Sequence, residues 1–267
     1  MWKYIHDIYT SQPMKHFWVV ALAILCLTAC NQHDSELGRA TAVQTAETDS
    51  VAHAITPVPD CRITTPEFLP TKQPIADASL SDYLQNLRQA VKTLDENKLQ
   101  QLLDPNIKTS FGGDGGWSSF SAQWHPEQDS AEIWILLERL LRLGGDYPLK
   151  NNADLYALPY VYSNWPDSLD AFAHAAVTGT GAILKQEPSE TAASICVLGQ
   201  VTLRVNAEKS YPQQQTAEKE WWYAQTLDGS LSGYLNHTQV HSPIGYRAIL
   251  NKNKQGQWLM TALVSGD

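Results

Sequence analysis

Few residues in this chain combine the type and spacing that chemistry needs. Asp114 and His125 could act as an acid–base pair in a hydrolysis, and Asp114 sits inside the run Gly112-Gly113-Asp114-Gly115-Gly116. The simpler reading is a glycine turn whose aspartate bonds its own backbone. That run could cradle an anion, but it lacks the lysine and hydroxyl of a phosphate loop and carries a negative charge. His237 and His241 stand four apart, yet Thr238 occupies the place where a zinc protease has its glutamate, and Val240 and Pro243 oppose a helix. They read as solvated loop histidines, and no metal is expected. Ser-x-x-Lys and Gly-x-Ser-x-Gly are both absent, which removes the commonest acyl-transfer signatures. Cys196 lies between Ile195 and Val197, where a thiol is buried and inert. Cys61 has no histidine near it in the chain. The two could pair as a disulfide or remain thiols. No catalytic residue, metal or cofactor is expected from these patterns.

Aromatic groups offer a second kind of function, binding without reaction. Trp221, Trp222 and Tyr223 are consecutive, and Tyr234 follows after the turn signal Asp228-Gly229. Such side chains give large contact area at small entropic cost. On a strand Trp221 and Trp222 point to opposite faces, so one belongs to a core and one to a contact surface. Trp117, Phe120 and Trp124 are spaced three and four apart, which suits a helix buried in the core better than a sugar-stacking platform.

The elements that position these groups begin with an export segment. Lys15 precedes Phe17 to Leu27, an apolar run of about 11 residues where a membrane span needs roughly 20. It reads as the hydrophobic part of a signal peptide. Its ending, Leu27-Thr28-Ala29-Cys30, resembles the lipobox of bacterial lipoproteins, which implies that Cys30 carries the lipid (diacylglycerol and palmitate-type acyl chains) and opens the mature protein. An ordinary secretory signal containing Cys30 is the plainer alternative. The mixed lead Met1 to Pro13 fits a signal poorly, so translation is expected to start at Met14. By resemblance to lipoprotein sorting, Asn31 after the lipidated cysteine implies the outer membrane, facing the periplasm.

Composition narrows the partners. The formal net charge is −9, and it becomes one unit more negative when Lys3 and Lys15 leave with Asp7. So acidic a protein has no general attraction for nucleic acid or for an anionic leaflet, and acyl chains must hold it to the membrane. Residues 30–74 read as a flexible tether, polar at first and proline-spaced at the end.

Residues 75–165 read as a mainly helical domain. Leu80, Tyr83, Leu84, Leu87, Val91 and Leu94 recur at helical steps behind a start at Ser79 and Asp82. Asp95 caps a second short helix ended by Asp104-Pro105. Ile107 to Phe111 is a strand candidate. A third helix covers Ser130 to Leu143 and stops at Gly144-Gly145. Residues 170–267 change to short apolar runs broken by Gly and Pro, the pattern of a small barrel. Val177-Thr178-Gly179, Leu184 to Ser189, Ile195 to Leu198, Trp221-Trp222-Tyr223, Asp228-Gly229 and Gly233-Tyr234-Leu235 together resemble a bacterial SH3-like domain. Lys185 and Tyr234 stand where that family usually has arginine and tryptophan, and Glu208 to Glu220 is a long polar insertion. The runs Gly245 to Ile249 and Trp258 to Val264 form a terminal hairpin expected to pack back on the helical domain.

The fold class expected is therefore α+β: a mainly helical domain, then a small SH3-like β-barrel with an extra C-terminal hairpin. The function expected is a non-catalytic envelope lipoprotein whose SH3-like domain binds peptidoglycan stem peptides or a protein partner through Trp221, Trp222, Tyr223 and Tyr234. The alternative is a cell-envelope hydrolase with its site near Asp114 and His125.

Overall fold

Helix formation follows the apolar stripes closely. In the computed structural model, which describes residues 58–113, 115–210 and 221–266, α1 runs Ala78–Thr93 and buries Leu80, Tyr83, Leu84, Leu87, Ala90 and Val91. Its N-cap is Asp77, two residues before the expected Ser79, and the carboxylate accepts from the Leu80 amide at 3.1 Å. The same carboxylate accepts from Lys252 Nζ at 2.8 Å, so this cap also ties the helix to the end of a distant strand. Asp95 caps α2, Glu96–Gln101, through the Lys98 amide. α3, Trp117–Trp124, buries Phe120 and Trp124. Trp117 stacks on Phe120 with ring centroids 5.6 Å apart, and Trp124 meets Tyr246 edge-on. This trio is core. α4, Glu132–Leu143, buries Ile133, Trp134, Leu137, Leu140, Leu141 and Leu143 and ends at Gly144 with φ +71°.

These helices cover one face of a four-stranded sheet that the helical reading did not contain. β1 is Leu103–Lys108 and β2 is Leu155–Leu158. The terminal hairpin, β10 (Arg247–Lys252) and β11 (Trp258–Val264), supplies the two central strands, in the order β1-β11-β10-β2. β1 runs parallel to β11, and the other pairings are antiparallel. Pro105 is tolerated because β1 is an edge strand, where a missing amide breaks no ladder. The hairpin thus joins the helical segment as the middle of its sheet. Leu80, Leu87, Ile107, Phe120, Ile133, Leu137, Leu250, Met260 and Leu263 share one core.

The second half corrects the expected barrel. β3 (His174–Val177), β4 (Ala182–Lys185), β5 (Ser194–Leu198), β6 (Thr202–Val205), β7 (Trp221–Thr226), β8 (Ser232–Asn236) and β9 (Val240–His241) form one seven-stranded sheet in the order β5-β4-β8-β7-β6-β3-β9. No pairing among the described residues joins β5 to β9, so the sheet is not a closed barrel. The molecule is α+β with two sheets of seven and four strands. Two short helices, α5 (Tyr160–Ser163) and α6 (Ala207–Ser210), sit in its connections. Gly233 is required where β8 crosses β4, because a Cβ there would strike the Lys185 carbonyl. The Asp228-Gly229 signal does turn the chain, but the link from β7 to β8 spans five residues, 227–231, held by Asp228 accepting from Thr226 Oγ1 and the Ser230 amide.

The described part of the proline-spaced stretch assigned to the tether is fastened to the seven-stranded sheet. Cys61 is bonded to Cys196 of β5. The Cys61 amide donates to the Val197 carbonyl at 2.8 Å, and the Val197 amide donates to the Pro59 carbonyl. Glu67 makes a further bridge to Val201. A covalent link and shared strand hydrogen bonds give this stretch the order its composition does not. Cys30, expected to carry the lipid, and the rest of the expected tether lie outside the described residues, which all belong to one compact unit, 54–267. Among the described residues no helix is long and apolar enough to cross a membrane.

Candidate functional site

The sheet face that carries the sequence-named aromatics is set by strand register. On β7, Trp222, Ala224 and Thr226 share one face, and Trp221, Tyr223 and Gln225 share the other. Trp222 stands opposite Leu235 and packs on the core that contains Val177, Leu184, Leu198 and Leu203. Trp221 faces the other way but is buried to 5% exposure. Trp221 is therefore closed to a ligand, and Trp222 is half-buried with its ring on the core side.

Tyr223 and Tyr234 form the accessible centre. They are cross-strand partners, half-buried, with ring centroids 5.1 Å apart in an edge-on arrangement. Tyr223 donates its hydroxyl to Ser232 Oγ at 2.9 Å. Lys209 of α6 lies 4.3 Å above the Tyr223 ring centroid, a cation–π contact. Ser232 Oγ can donate in return to the phenolate, and with Lys209 adding its charge this holds the Tyr223 phenol below its ordinary pKa.

Two more cations border this pair. Lys185 stands in register with Tyr234 and donates to the Glu190 and Ala192 carbonyls, both at 3.0 Å. Arg204 pairs with Gln225 on the neighbouring strand and is exposed. Glu190 brings a carboxylate to the rim, where it accepts from Asn236 Nδ2 at 3.2 Å. A chain of net charge −9 thus gathers Lys185, Arg204 and Lys209 around two tyrosines. Sequence reasoning took the aromatics and missed this cationic border. The available signal was the alternation along β6 and β7, which puts Arg204 and Tyr223 on one side once Leu203 and Ala224 are taken as core.

The other sequence candidates fall elsewhere. Asp114 lies outside the described residues. His125 is exposed at the end of α3, and its Nδ1 lies 3.2 Å from Glu127 Oε1. His237 and His241 separate in environment: His241 is not a solvated loop residue but is buried on β9, and its Nε2 has no hydrogen-bond partner. Burial, with the Arg139 charge nearby, pushes the His241 pKa down to about 3. Among the described residues no group of three or more His, Cys, Asp or Glu side chains could hold a metal.

No protein-family model matches this chain, and no curated protein matches it. A crystal structure of a provisionally assigned ketosteroid isomerase from Shewanella frigidimarina NCIMB 400 aligns over 70% of this chain and 94% of that one, at 10% identity and a TM-score of 0.24. A likeness at that level carries no argument about fold or activity.

Proposed function

We propose that this protein is a non-catalytic lipoprotein of the bacterial envelope, anchored to the outer membrane through Cys30, that binds an extended acidic peptide across the outward face of β7 and β8. Peptidoglycan stem peptides and carboxylate-bearing segments of envelope proteins have this chemistry. The observation that carries the reading is the paired Tyr223 and Tyr234 ringed by Lys185, Arg204 and Lys209 on an otherwise acidic chain. Flat rings take up the backbone and apolar parts of a peptide, and the cations meet its carboxylates.

Membrane reach is compatible with this role. Between Cys30 and Val58 the covalent chain can span at most about 3.3–3.6 Å per residue, so the face can stand well clear of an anchoring bilayer.

Retention of the full chain on purified murein tests the proposal. Tyr223→Ala and Tyr234→Ala should each cut retention several-fold, and 0.5 M salt should weaken what remains. Retention on murein unchanged by both substitutions would overturn it, as would failure of murein and of every envelope fraction to bind. Binding only in an envelope-protein fraction, lost on the same substitutions, selects the protein-partner form.

A further inference from the structure

The geometry points to a second ligand site, independent of the peptide face, in a cavity of about 340 Å³ on the uncovered side of the four-stranded sheet, built to hold a small carboxylate carried on a flat apolar body. Its floor owes its character to an irregularity in β11. The register between β10 and β11 shifts between Ile249↔Ala262 and Leu250↔Met260, leaving Thr261 without an opposite number. Thr261 Oγ1 instead donates to Asn251 Oδ1 at 2.6 Å. Because of this bulge, Met260 and Leu263 both enter the helical core, while Val264 joins Ile249 and Arg247 along the cavity.

Arg247 is the group that calls for a ligand. It is 7% exposed, and no carboxylate among the described residues lies within ion-pair distance of it. Its guanidinium donates from Nη1 to the Gly266 carbonyl at 2.7 Å. It also lies 4.9 Å from the Tyr162 ring centroid and 5.6 Å from that of Phe111. Those contacts position the planar fork without neutralising it. A buried cation with no counter-charge among the described residues is costly, and an arriving carboxylate would remove that cost with paired charge-assisted hydrogen bonds.

The walls select the rest of the molecule. Ile249 and Val264 present aliphatic surface, and Phe111, 63% exposed, stands at the mouth as a ring with little to cover it. Lys108 adds a second positive charge at the rim. An inorganic anion would satisfy the arginine but leave these walls wet, and a neutral aromatic would do the reverse. The combination fits an aromatic or similarly flat monocarboxylate.

Calorimetric titration of the full chain with 2-naphthoate, 2-naphthamide and inorganic phosphate tests the site. Naphthoate should bind, the amide at least ten-fold more weakly, and phosphate should neither bind comparably nor displace naphthoate. Arg247→Gln should weaken naphthoate at least ten-fold, and Arg247→Lys should recover part of the loss. Phe111→Ala, at an exposed position that leaves the core intact, should weaken it several-fold with an unchanged melting temperature. Absence of naphthoate binding, equal binding of the amide, equal binding of phosphate, or unaltered affinity in both Arg247→Gln and Phe111→Ala would each overturn the inference. Murein retention should be unaffected by Phe111→Ala, which separates failure here from failure of the peptide face.

Discussion

The two sheets are assembled on opposite principles. Every strand of the seven-stranded sheet comes from residues 174–241, and three of its six neighbouring pairs are consecutive strands. The four-stranded sheet collects residues 103–108 and 155–158 at its edges and closes them only with the last hairpin. One can form from local pairings as the chain emerges; the other waits for its final segment. Yet they are joined. Leu143, Tyr160, Val161 and Ala176 share a small core between them, and Arg139 of α4 donates to the His237 and Val240 carbonyls at the start of β9. A region that is hard to assemble is thereby held against one that is easy.

Removing residues 246–267 should give the largest effect, since it takes both central strands. Cooperative thermal unfolding should be lost from the tryptophan-rich helical half, followed by circular dichroism and fluorescence; an unaltered melt would mean that the helices do not depend on that sheet. Replacing Cys61 and Cys196 together by serine opens a closure spanning 135 residues and should cost about 2–5 kcal/mol, read from the denaturant midpoint, chiefly in the seven-stranded half. Arg139→Met should cost about 1–3 kcal/mol by stranding two carbonyls, and should split one transition into two if this contact couples the sheets. Asp77→Ala removes a cap and an ion pair together and should cost about 1–2 kcal/mol, whereas Asp77→Asn, which keeps the cap, should cost less.

A last contrast concerns pH. His241 titrates near 6.5 when unfolded and near 3 when folded, so between these values the unfolded chain binds the proton that the folded chain refuses. Stability should therefore fall as pH drops below about 6.5 and level off near 3. His241→Asn should flatten that part of the profile relative to the wild type; an unchanged slope would show that His241 is not its source.

These contrasts also explain what could be read in advance. Helices α1 and α4 were legible because their apolar residues follow a 3.6-residue period, and Asp95 and Gly144 mark boundaries by capping chemistry. The strands around Leu184, Ile195 and Leu203 were legible from turn signals. Strand β1 was legible only at its end, where the candidate Ile107 to Phe111 overlaps it, since Asp104-Pro105 looks like a helix stop and its partner lies at the far end of the chain. The opposed faces of Trp221 and Trp222 followed from alternation, but which face lay inward did not, because two indoles give no contrast. Arg247 escaped notice for a related reason. The bulge at Thr261 breaks the period of two, so apolar residues on both sides of the hairpin hid the difference between core and cavity.

The union of Cys61 with Cys196 carries a consequence beyond closing a long loop. β5 is an outer strand, and the stretch around Cys61 occupies the hydrogen-bonding positions where a second molecule's strand could otherwise add. Reduction would uncover a ready template along Val197, so a thiol-rich compartment should turn a covered sheet edge into a self-adhesive one.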